Sequence, residues 1–137
     1  MSDSIFLDTN ILVYAYSDTE LQKQTIARKL VSENISFIST QVLQELSNTL
    51  SRKFKKSWLE ITEAVKEVSL SNLVHANNEA TIQQAIKIAE QYKFSFYDSL
   101  IIASALECKC AKLYSEDMSH GQLIEKQITI INPFASL

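Results

Sequence analysis

Ile5-Phe6-Leu7-Asp8-Thr9-Asn10-Ile11-Leu12 is the stretch from which the fold is read. Its first three residues form an unbroken apolar run, the pattern of a strand buried on both faces of a parallel sheet. Asp8 ends that run, and Ile11, Leu12, Val13 and Tyr14 then begin a helical pattern. A strand that passes at once into a helix, with an acid at the junction, predicts a βα unit carrying a polar group at the carboxyl end of its strand. Open α/β sheets place their ligand sites there.

Outward from this stretch the alternation continues. Residues 20–33 read as an amphipathic helix capped by Asp18 or Thr19, Ile35–Ser39 as a second strand, and residues 40–53 as a helix. Ser57-Trp58-Leu59-Glu60 has the S-x-x-E form of a capping box and opens a helix to about Ser69. Leu73–His75 is a third strand, Glu79–Tyr92 and residues 95–108 are helices, and Lys112–Tyr114 and Ile128–Ile131 are the last two strands. Strands alternating with helices predict an α/β domain with a mostly parallel sheet. With 137 residues and no linker, repeat or low-complexity tract, the expectation is one domain over residues 1–137.

Composition narrows the chemistry. Gly121 and Pro133 are the only residues of their kinds, which favours long helices and short connections. A GxGxxG dinucleotide loop or a GxxxxGK[ST] phosphate loop needs glycines that this chain lacks. The start, MSDSIFLDTN, has no basic region before an apolar stretch, and no apolar run nears the ~18 residues of a membrane span. The expectation is a cytoplasmic protein with no membrane contact. Cys108 and Cys110 form a lone CxC with no second pair to complete a zinc site, so they read as reduced thiols. A net charge of −3 does not suit a protein that coats nucleic acid, but it leaves room for an enzyme with a local basic patch.

Four acids stand out by position. Asp8 and Asp117 each follow a strand; Asp98 lies in the first turn of the almost wholly apolar helix containing Leu100-Ile101-Ile102-Ala103-Ser104-Ala105-Leu106. Glu45 borders the apolar stripe of Val42, Leu43, Leu46 and Leu50. Each has a plain structural reading: Asp8 as a helix cap, Glu45 as a solvated helix residue, Asp98 as a partner of Ser95 in a capping box, Asp117 as a turn acid. Together they fall on one edge of a parallel sheet, where four carboxylates repel unless a cation sits among them. Hard cations such as Mg²⁺ or Mn²⁺ suit oxygen ligands, and such a site suits phosphodiester hydrolysis.

At these residues the chain resembles the PIN-domain nucleases, and more narrowly the VapC-type toxins of bacterial and archaeal toxin–antitoxin pairs. The resemblance rests on Phe6-Leu7-Asp8-Thr9-Asn10-Ile11-Leu12, Gln44-Glu45-Leu46, Tyr97-Asp98-Ser99-Leu100-Ile101 and Leu113-Tyr114-Ser115-Glu116-Asp117-Met118. It implies a three-layer α/β/α fold with a five-stranded parallel sheet in the order 3-2-1-4-5. It implies Mg²⁺- or Mn²⁺-dependent cleavage of RNA, an antitoxin that covers the acidic cleft and, commonly, a homodimer. Asp8, Glu45, Asp98 and Asp117 would be the catalytic, metal-binding acids, with Asn10 and Ser115 supporting them by hydrogen bonds. The last motif reads Ser-Glu-Asp-Met where the family has Thr-x-Asp and an aromatic, which leaves open a share for Glu116. His120 reads as a surface residue.

Arg52, Lys53, Lys55 and Lys56 are the only dense basic run. Arg52, seven residues beyond Glu45 and ~10 Å along the same helix face, is placed to meet flanking phosphates. The alternative is that these cations only offset the helix dipole. Tyr14, Tyr16, Phe94 and Phe96 offer rings for unpaired bases or for the core. Phosphatases of the haloacid dehalogenase type want Asp-x-Asp where this chain has Asp8-Thr9-Asn10, and receiver domains want an acidic pair before their aspartate. The remaining rival is a PIN-like module that binds RNA or partners without turnover.

Overall fold

The computed structural model describes residues 4–137, so the reading of the first residues as carrying no leader rests partly outside that range. In chain order the elements are β1 (Ser4–Leu7), α1 (Thr9–Ala15), α2 (Leu21–Glu33), β2 (Ile35–Ser39), α3 (Thr40–Arg52) and α4 (Trp58–Ser71). Then come β3 (Leu73–His75), α5 (Glu79–Tyr92), α6 (Phe96–Glu107), β4 (Lys112–Tyr114), β5 (Leu123–Ile124) and β6 (Ile128–Ile131). The sheet has six strands in the order β3-β2-β1-β4-β6-β5, parallel throughout except for the antiparallel β5–β6 pair. The expected order holds from β3 through β4, with β6 as the expected fifth strand; β5 adds a sixth on the outside.

β5 escaped the sequence reading for a definite reason. The hairpin turns through Glu125 and Lys126, both at positive φ, with the Gln127 N–H donating to the Ile124 carbonyl at 3.0 Å. Primed turns need such dihedrals and usually announce themselves with Asn-Gly or Asp-Gly. Lys55, Lys93 and Lys109 also stand at positive φ, each where a helix ends. A chain with one glycine makes its left-handed corners mostly from lysine.

β1 is central, and Ile5, Phe6 and Leu7 are all buried, as their unbroken apolar run predicts for a strand covered on both faces. They join Ile38, Leu46, Ile101, Ile102, Leu113 and Ile130 in one core. α6 is buried from Ser99 to Leu106, matching its almost wholly apolar sequence. The Ser57–Glu60 capping box forms with both reciprocal bonds, and a second box, Asn78 with Thr81, opens α5. Ser95 caps α6 by accepting from the Asp98 N–H. No helix of the described residues is long and apolar enough to cross a membrane.

The start of α2 differs from expectation. Neither Asp18 nor Thr19 caps it; Glu20 holds the cap position and makes no capping bond with its side chain. Buried Ser17 does the work three residues earlier, its Oγ accepting from the N–H groups of Thr19 and Glu20 at 3.3 and 3.0 Å. Ser17→Ala is therefore expected to lower unfolding free energy by about 1–2 kcal/mol. Asp18→Ala should change it by less than about 0.5 kcal/mol, both read from urea denaturation.

Candidate active site

From β1 the chain builds outward to β2 and β3 on one side and to β4 and β6 on the other, so a crevice opens at the carboxyl ends of β1 and β4. The hydrogen-bond ladder runs one step past both strands: the Asp8 N–H donates to the Tyr114 carbonyl at 3.0 Å and the Ser115 N–H to the Ile131 carbonyl at 2.9 Å. This fixes Asp8 and Ser115 side by side. Ser115 Oγ donates to Asp8 Oδ2 at 2.7 Å and accepts from the Asp117 N–H at 3.3 Å. Asp8 Oδ1 accepts from the Thr9 N–H at 2.7 Å, which is the capping role read for Asp8.

Each of the other acids is delivered by its own element. Glu45, on α3, accepts from Thr9 Oγ1 at 2.6 Å and from Gln41 Nε2 at 3.4 Å. Gln41 Nε2 also donates to the Tyr97 carbonyl at 3.1 Å, which ties α3 to the first turn of α6 beside Asp98. Asp117 accepts from Asn10 Nδ2 at 3.0 Å, while Asn10 Oδ1 receives the Glu116 N–H at 3.2 Å. Asp8, Glu45, Asp98 and Asp117 all line one open cleft of about 670 Å³. The two supporting residues read from sequence, Asn10 and Ser115, both hydrogen-bond to these acids.

The basic run divides. Lys53 lines the cleft, with Phe54, Asn48 and Thr49 from the same stretch. Arg52, Lys55 and Lys56 do not line it. Arg52 is exposed, Lys55 turns the chain at φ 55°, and Lys56 lines a separate groove with Asp18 and Glu63. Among the aromatic candidates Tyr14 lines the cleft, Tyr16 and Phe94 pack against the core, and Phe96 stacks edge-on with Tyr97. His120 is exposed and its Nδ1 accepts from the Asn132 N–H at 2.9 Å.

Three contributors were not foreseen: Thr9, Gln41 and Lys23. Gln41 is one helical turn before Glu45, a spacing that places two side chains together and was available as a signal. Lys23 donates to Glu116 Oε2 at 2.6 Å across 93 residues, for which the sequence offers no local sign.

Burial pushes the Asp8 carboxyl up to about 6; the bonds from Ser115 and Thr9 oppose this, and the charges of Glu45 and Asp98 reinforce it. Burial also raises Asp98, against the bond with Ser95 and with help from Asp117 and Glu45. Among the described residues no three His, Cys, Asp or Glu side chains stand close enough to share one ion as arranged. The donor set nevertheless suits a hard divalent cation. Its donors are oxygens, its most buried acid resists ionising, and such ions take one or two carboxylates with water completing the shell.

A family model described as the PIN domain matches residues 5–123. No curated protein matches the chain by sequence. Among solved structures the chain is similar in fold to a toxin–antitoxin complex from Klebsiella pneumoniae, at 15% identity over 95% of this chain and 98% of that one, with a TM-score of 0.71. It is similar to VapBC2 from Rickettsia felis bound to a DNA fragment from its promoter, at 19% identity over 93% and 96%, TM-score 0.68. It is also similar to VapC20 of Mycobacterium tuberculosis, described as a sarcin-ricin loop cleaving toxin, at 19% identity over 80% and 86%, TM-score 0.63.

The raised Asp8 carboxyl has a thermodynamic consequence. Between the ordinary value of 3.8 and about 6 the folded state holds the proton more tightly than the unfolded one. The resulting stability is complete below the lower value and is lost as pH rises through the upper one. In metal-free protein the loss is on the order of 3 kcal/mol. Asp8→Asn is thus expected to be more stable than the unsubstituted protein by on the order of 2–3 kcal/mol at about pH 7.5 in EDTA, with the gap narrowing steadily towards pH ~4. Urea denaturation across pH measures this, and a gap of constant size would contradict it.

Proposed function

This chain belongs to the PIN-domain family, and we propose that it is a metal-dependent endoribonuclease, the toxin of a toxin–antitoxin pair, with residues 1–137 forming one PIN domain. The observation that carries the reading is the convergence of Asp8, Glu45, Asp98 and Asp117, from four separate elements, on one cleft. Between them, by one or two carboxylates directly and by the others through water, these four would hold Mg²⁺ or Mn²⁺. When bound, the ion would lower the pKa of a water and stabilise charge on the scissile phosphate.

The chain's own groups do the rest. Ser115, Thr9 and Asn10 orient the acids with neutral donors, which fixes their geometry without cancelling their charge. Lys53, with Asn48 and Thr49 along the same wall, would meet phosphates flanking the cut. Phe54 and Tyr14 offer apolar faces within the cleft for an unpaired base.

The toxin assignment is supported by fold likeness to the Klebsiella pneumoniae and Rickettsia felis complexes, and an RNA substrate by likeness to VapC20, whose description is that of a toxin cleaving the sarcin-ricin loop. A protein partner and a homodimer are further supported by large apolar side chains left in solvent, among them Trp58, Leu59 and Leu70.

Cleavage of an end-labelled single-stranded RNA tests the reading. Mn²⁺ or Mg²⁺ should be required, and Asp8→Asn or Asp98→Asn should lower the rate by roughly 100-fold or more. RNA that is bound but left intact at every metal concentration would favour the silent module instead. In melting experiments Mn²⁺ should raise the Tm of the unsubstituted protein more than that of Asp98→Asn. Lys53→Ala should raise KM several-fold more than Arg52→Ala does.

A further inference from the structure

After β4 the chain presents two adjacent acids, Glu116 and Asp117, and both line the cleft. Their surroundings differ completely. Glu116 has both carboxylate oxygens occupied: Lys23 Nζ reaches Oε2 at 2.6 Å and the Tyr14 hydroxyl donates to Oε1 at 2.6 Å. Lys23 Nζ also donates to the Tyr14 oxygen at 3.2 Å, closing a triangle of three polar groups. Two aromatic rings also stand close to the ammonium. It lies 4.6 Å from the centre of the Tyr14 ring and 5.4 Å from that of Phe134, and the two rings meet edge-on at 5.1 Å. Asp117 is exposed, and the side-chain bond it accepts comes from the neutral amide of Asn10.

We propose that Lys23 is a positioning residue that withholds Glu116 from the divalent ion of the cleft, leaving Asp117 as the one acid of the adjacent pair free to serve it. The inference rests on the reading of the cleft as a divalent-ion site. A carboxylate with both oxygens engaged, one of them by a fixed cation, is a poor ligand, because ligation would strip the ammonium of its partner. A lysine ammonium is a compact charge on a flexible stem, so its position here is set by the two rings and the tyrosine hydroxyl. The arrangement also bears on which ion is taken. Mg²⁺ keeps most of its water and uses one or two carboxylates, whereas Ca²⁺ accepts six to eight oxygens in looser geometry. Releasing a further carboxylate into the cleft favours the larger ion.

The test is divalent-ion binding to the metal-free protein, by calorimetry with Mn²⁺ and with Ca²⁺. Lys23→Met should bind Mn²⁺ about tenfold more tightly than the unsubstituted protein, with a larger gain for Ca²⁺. Glu116→Gln should stay within about threefold of the starting affinity, and Lys23→Met/Glu116→Gln should return to that range. Lys23→Arg, which keeps the cation, should behave as the parent does. Asp117→Asn should weaken binding. Should Lys23→Met melt too low to titrate, Tyr14→Phe frees Oε1 alone and should show a smaller gain in the same direction.

A Lys23 with a merely structural part would give lower Tm and weaker binding, which overturns the proposal. So does a loss in Glu116→Gln equal to that in Asp117→Asn, since Glu116 would then be a ligand already. If the parent binds Mn²⁺ and Asp98→Asn does not, while Lys23→Met changes nothing, the withholding role alone falls. If the parent binds no divalent ion, the reading of the cleft falls and this inference with it.

Discussion

A carboxylate almost without access to water, seated where the central strand ends, is the constraint around which the rest is arranged. Asp8 is 7% exposed, and its neighbours include two further acids that raise its proton affinity. Burying such a group costs several kcal/mol unless donors or a cation compensate. The fold supplies two donors: the Thr9 N–H, local to the start of α1, and the Ser115 hydroxyl, which depends on the register that aligns β1 with β4. A shift of one residue in that pairing would remove Ser115 from Asp8 and turn the buried run Ile5-Phe6-Leu7 against the wrong neighbours.

The same register explains how acids far apart in sequence reach one place. Parallel strands all end at the same edge, and the helices that follow them start there. A group up to three residues past a strand, as with Asp8 and Asp117, or early in a helix that follows one, as with Glu45, is therefore carried to that edge by topology; Asp98 comes on α6, which follows α5, and the Gln41–Tyr97 bond ties its first turn to α3. The surrounding polar contacts are mostly neutral hydroxyls and amides. That keeps the cleft negative while ordering it, and the firmly paired cation, Lys23, sits opposite the acid that has least freedom.

Much of this was legible from residues alone. The apolar run of β1, the largely apolar α6 and the Ser57 box each carry a periodicity or motif that tertiary packing had no reason to override. What was hidden depended on geometry that local sequence does not encode. The β5 hairpin lacks glycine at its turn. The entry to α2 is organised by Ser17, three residues ahead of the usual capping position, through a turn rather than a cap. Arg52 shares a helical face with Glu45 on an ideal wheel, but the cleft wall follows Asn48, Thr49 and Lys53 as the chain leaves α3. The Lys23–Glu116 pair joins positions 93 residues apart, and neither residue is unusual for the segment that holds it. PIN membership itself was legible in four short motifs spread in order along the chain, within the span that the family model matches or close to it.

The corners made from lysine have a consequence for the unfolded chain. Side-chain-bearing residues in the left-handed region cost roughly 1 kcal/mol each relative to glycine. In return the denatured ensemble is narrower, because a backbone with side chains samples fewer conformers than one punctuated by glycine. Lys55, Lys93 and Lys109 each stand at the exit of a helix, so the fold gains these left-handed corners without the extra backbone freedom that glycine would give the unfolded chain there.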